Sequence, residues 1–152
     1  MRKMTKKNKV LAAAGALALV AGGGGAAYAY WTTTGSGSGA ATNSGGGGTV
    51  TLHANFEGGL TPGSSVAVGY TADNSDANTS TKVGALSASV ATNVGGCLPE
   101  WFSVTAVTSN TTVPKNSTGT SVGSGILKFN DEAEVDQSAC KGAIVTINVS
   151  SL

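Results

Sequence analysis

The chain has 152 residues, few aromatics and little charge: nine cations against eight acids, with 23 glycines. Five of the nine cations, Arg2, Lys3, Lys6, Lys7 and Lys9, crowd the first nine positions. The rest of the chain therefore carries four lysines against eight acids, a net charge of −4. That balance lacks the basic footprint that nucleic acid requires, so no nucleic-acid partner is expected.

The N-terminus reads as an export signal. The basic start is followed by an apolar run over residues 10–21, then four glycines, then Ala27-Tyr28-Ala29. This is the order of a secretory signal peptide, with the small-x-small site placing the cut between Ala29 and Tyr30. The apolar run spans roughly 18 Å as a helix, well short of the ~30 Å hydrocarbon core. Counting residues 22–30 brings it to membrane length, so an uncleaved anchor stays open as the alternative. Residues 1–29 are thus expected to export the remainder, and the membrane is met only through them.

The run Gly22-Gly-Gly-Gly-Ala-Ala-Tyr-Ala-Tyr-Trp-Thr32 resembles signals handled by a dedicated SipW-type peptidase. Such signals occur in the camelysin-like surface proteins of Gram-positive bacteria, among them fibre-forming biofilm matrix proteins. Leu60-Thr-Pro-Gly63, a strand with Val66, Val68 and Tyr70, and then Asp73-Asn-Ser75 are similar to that group's opening. The chain as a whole also resembles small secreted proteins of actinobacteria. The resemblance implies a product that is secreted, extracellular or held at the cell surface.

Residues 30–48 follow the signal, and from 35 onward they are almost wholly Gly, Ser, Ala and Thr. With so little apolar area to offset the entropy of ordering, they read as a flexible tether. The folded domain is then expected at 49–152, a normal size for one core.

Within it, apolar residues alternate in short segments: Val50 and Leu52; Val66, Val68 and Tyr70; Val83 with Leu86, Ala88 and Val90. Phe102, Val104 and Ala106 follow, then Leu127 and Phe129, then Val145, Ile147 and Val149. Turn signals separate them at Pro62-Gly63, Asp73-Asn74, Gly95-Gly96 and Gly123-Ser-Gly125. The pattern predicts an all-β fold, an antiparallel two-layer immunoglobulin-like sandwich of about six to eight strands. Residues 130–140, acidic at Asp131, Glu132, Glu134 and Asp136, read as a connection in which Asn130 or Asp131 caps a short helical turn.

Cys97 and Cys140 are the only cysteines. Outside a reducing cytosol two cysteines in a small domain pair, and the enclosed loop is worth roughly 4 kcal/mol of chain entropy. Trp101, four residues on, either covers that bridge or stands exposed as a contact residue beside Phe102.

The search for catalytic groups returns little. His53 is the only histidine, and its surroundings are not the His-Glu-x-x-His of zinc proteases. No Gly-x-Ser-x-Gly frames a nucleophile within the folded part. The acids at 131–136 do not follow Ca²⁺-loop spacing and read as a solvated turn. Neither an enzyme nor a cofactor is expected. What remains is a secreted structural or assembly component of the cell surface or extracellular matrix, whose partners are itself or other surface proteins. The alternative is a monomeric binding or adhesion module for a wall polymer, glycan or protein. Candidate contacts are Trp31, Trp101, Phe102 and the loop 110–119. The segment 143–149, β-prone and uncharged, would add to another sheet if left at an edge.

Overall fold

A computed structural model describes residues 34–42, 48–107 and 109–151. The expected signal peptide, its cut between Ala29 and Tyr30, and Trp31 lie outside the described residues. The described strands belong to one compact unit.

The fold is all-β. Nine strands run β1 (Thr34–Thr42), β2 (Thr49–Phe56), β3 (Ser65–Asn74), β4 (Thr81–Lys82) and β5 (Leu86–Thr92), then β6 (Phe102–Val104), β7 (Thr112–Val113), β8 (Ser117–Phe129) and β9 (Ile144–Ser151). Seven form one sheet in the order β5-β9-β1-β2-β3-β8-β6, and β4 pairs with β7 in a small ribbon. The sheet curls until its two ends, β5 and β6, meet across the core. Every pair is antiparallel except β1 with β9, which run parallel. The two faces expected from the sequence are thus arms of one continuous sheet.

Alternation decides which side chains fill the interior. Val50, Leu52 and Ala54 of β2, Val68, Tyr70 and Ala72 of β3, and Val145, Ile147 and Val149 of β9 are buried, while their sequence neighbours are exposed or half-buried. Such a pattern buries one face of each strand and leaves the other to water. Phe129 at the end of β8 stacks on Phe102 with ring centroids 4.5 Å apart, and both rings are buried.

Three expectations need correction. Residues 34–42, read as part of a flexible tether, form β1, an interior strand of the sheet. Their backbone hydrogen bonds to two neighbours supply what their small side chains cannot. Gly123-Ser-Gly125, read as a turn, lies inside β8. There Gly125 faces Val68 and Gly123 faces Tyr70 across the ladder, and the missing side chains leave room for the Tyr70 ring at Gly125 and for Leu86 at Gly123. A Cβ at Gly125 would overlap the Thr105 carbonyl, and that same carbonyl accepts the Tyr70 hydroxyl at 2.8 Å. A register shift between Tyr70 and Thr71 gives β8 one extra residue, a bulge that coincides with buried Val122. Finally, the short helical turn in the 130–140 connection falls at Ser138–Cys140, beyond the acids. It is Asp136 that receives the Ser138 N–H, at 2.9 Å.

Candidate functional site

β1 is the place where this sheet is unusual. Its first residues, Thr34 to Ser36, pair with Ile144 to Thr146 of β9, and the rest, from Gly37 onward, pair with Ala54 back to Thr49 of β2. One strand therefore joins two arms, taking hydrogen bonds first from one neighbour and then from the other. The changeover demands glycine. A Cβ at Gly37 would overlap the Ile147 carbonyl, and one at Gly35 would overlap the Phe56 ring and the Val145 carbonyl. What looks like linker composition is here a close backbone approach.

Because each neighbour is used for only part of its length, two seams open beside β1. Past Thr146, β9 has no described strand on its β1 side; past Ala54, neither has β2. At the β9 seam lies a well of about 140 Å³ among Ser38, Ser87, Ser89, Asn148 and Ser150. Near the β2 seam, a wider depression of about 530 Å³ runs along Asn55, Phe56, Glu57, Val66 and Ala67. The segment 143–149, flagged for its edge tendency, is paired along β5 over its whole strand and open only beyond Thr146 on the other side.

The two cysteines do form a disulfide, with Cα atoms 4.7 Å apart and both residues fully buried. It ties the connection after β5 to the turn just before β9. Around it, the Thr92 hydroxyl donates to the Cys97 carbonyl, and Asn93 grips Ile144 twice, through its backbone N–H at 3.2 Å and its side-chain oxygen at 2.7 Å. Trp101, in the short turn Pro99–Trp101, is 8% exposed and Phe102 7%. As contact residues both are therefore corrected: their rings are spent on the core. The loop 110–119 is largely exposed, and Asn116 sits in the left-handed region at φ 50°.

His53 is half-buried on the outer face of β2, its Nε2 3.0 Å from Asp73 Oδ2 on β3. The other Asp73 oxygen accepts the Gly119 N–H at 2.7 Å. That backbone bond, more than the nearby imidazole, holds the Asp73 carboxyl below its ordinary range. Asp136 is lowered in the same way, by the hydroxyl and N–H of Ser138. Burial acts in the opposite sense on Tyr70, whose phenol is pushed up. The His53–Asp73 contact joins β2 to β3, and the Asp73–Gly119 bond joins β3 to the start of β8.

Among the described residues no group of three His, Cys, Asp or Glu stands close enough to hold a metal ion, and no helix is long and apolar enough to cross a membrane. The acids at 131–136 are exposed and spread along the turn. Sequence reasoning missed β1 altogether; the only signal for it was the alternation of glycine with serine from 35 to 39, which leaves every second position free of a side chain. Comparison of the chain with protein-family models, with curated proteins and with solved structures gives no match.

Proposed function

We propose that the chain is exported through residues 1–29 and serves, without catalysis, as a structural subunit that associates with copies of itself at the cell surface or in the extracellular matrix. The single observation that supports this is β1: a strand seated between two arms almost wholly by main-chain hydrogen bonds. Its sequence, TGSGSGAAT, has no side chain larger than threonine. Strand addition of this kind draws its affinity from the backbone and is indifferent to which chain supplies the strand. The same segment of one copy can therefore occupy the place between β2 and β9 of the next, an exchange that builds assemblies without a new interface. In this reading the arms of the curled sheet stand for the two layers of an immunoglobulin-like sandwich, held together by the strand they share.

Sedimentation of the secreted form over a wide concentration range tests the reading. Concentration-dependent polymers are expected. A chain lacking residues 30–48 should lose them and should bind a synthetic peptide of residues 34–42. Should the truncated chain fail to fold, Gly37→Val serves in its place, since it blocks the seat of β1 in any copy. A strict monomer at the highest concentration sinks the proposal.

A further inference from the structure

The well beside β9 has a composition that invites one class of ligand. In the ladder between β5 and β9, Ser87 faces Ser150 and Ser89 faces Asn148. These four side chains mark the corners of a rectangular opening, all on the solvent side of the sheet. Between them the Ala88–Val149 pair forms the floor, and Ser38 makes a wall where β1 has turned away toward β2. The walls are built by strand geometry, so the spacing of the hydroxyls is fixed by the ladder: about 4.5–5.5 Å across and ~7 Å along each strand.

None of the residues lining the well is charged. Binding an anion or a cation there would strip it of water with no opposite charge to compensate, which is unfavourable. The corners instead offer three hydroxyls and one amide, and the wall adds the Ser38 hydroxyl; all of these groups both donate and accept, and no hydrogen bond to another described residue engages any of them. A neutral polyhydroxylated molecule answers that set: each of its own hydroxyls can replace one of the waters the groups would otherwise hold. Size narrows the class. A volume of about 140 Å³ is the liquid volume of four to five waters at ~30 Å³ each, and is below the ~300 Å³ at which sites for larger ligands begin. We infer that the well between β5, β9 and Ser38 is a binding site for a single uncharged sugar ring, presented by a neutral glycan. The inference does not rest on self-association, since the well belongs to one copy.

A ligand of about a dozen heavy atoms binds weakly, with a Kd on the order of 1 mM. The experiment is therefore a chemical-shift titration of the ¹⁵N-labelled exported chain with N,N′,N″-triacetylchitotriose and, separately, maltotriose, to about 20 mM; sialyllactose is the anionic control. Saturable shifts are expected for the amides of Ser87, Ser89, Asn148 and Ser150 with at least one neutral trisaccharide, which also tells an N-acetylhexosamine from a hexose. Asn148→Lys should abolish them, and Ser89→Lys serves if that variant is misfolded. Thr51→Lys, on the outer face of β2, should leave them unchanged. The inference is overturned if neither neutral sugar shifts these amides, if the shifts map elsewhere, or if sialyllactose binds equally well.

Discussion

Removing the disulfide is the sharpest test of how this domain is held. Cys97 and Cys140 are 43 positions apart, and they bridge two connections that carry little secondary structure of their own. Their bond limits mainly the unfolded chain. The chain-entropy relation for a loop of this length gives about 4 kcal/mol at 25 °C, a large share of the roughly 5–15 kcal/mol that holds a typical domain together. The folded state adds its own small loss, because both residues are fully buried and alanine leaves a gap in place of sulfur. Cys97→Ala with Cys140→Ala should therefore lose at least 3 kcal/mol and melt roughly 15 °C lower, taking about 4 °C per kcal/mol for a domain of this size. Guanidinium unfolding of the oxidised protein, the reduced protein and the double variant is the assay. The reduced protein should lose most of the same stability, with the variant slightly lower because it also lacks both buried sulfurs. A loss under about 1 kcal/mol would refute the reasoning, because the loop would then be ordered without its bond.

Further outcomes follow from single contacts. Gly125→Val should destabilise by about 2–3 kcal/mol in denaturant, because the new side chain meets the Thr105 carbonyl. Tyr70→Phe leaves that carbonyl without the Tyr70 hydroxyl and should cost about 1 kcal/mol in the same assay. Phe129→Ala removes a fully buried ring stacked on Phe102 and should cost about 3–5 kcal/mol. Because the folded carboxyl of Asp73 titrates below its unfolded value, its contribution is complete above the ordinary aspartate range and fades as pH falls through and below it. Asp73→Asn should accordingly flatten the acid limb of a stability-against-pH curve below about pH 4; an unchanged limb would mean the Gly119 contact does not persist in solution.

Much of the fold was legible because it is written in alternation. The segments around Val50, Val68, Leu127 and Ile147 each show period two, and each is a strand with those residues inside. The disulfide was expected from the presence of only two cysteines in a chain read as exported, and it is present. What stayed hidden was structure made by backbone alone. In β1 and in the middle of β8, glycine stands where a close approach or a large neighbour leaves no room for a side chain, so hydropathy carries no trace of these strands. Trp101 could be read either as cover or as a contact residue, and its burial together with Phe102 decides for the interior. Sequence alone could not separate the two readings, because burial here depends on how the strands curl around that corner.

The pairing of β1 with β9 also sets an order of events. Thr34 meets Ile144, so the earliest and latest strands of the domain lie side by side, and their contact spans almost its whole length. A sheet that depends on so distant a partnership forms slowly, since the entropy of closing the chain must be met before the contact returns anything. While β9 is still being synthesised, the place between the two arms cannot be filled. The curled sheet is therefore complete only when both of these distant strands are present, and neither arm can close on β1 before β9 has joined it.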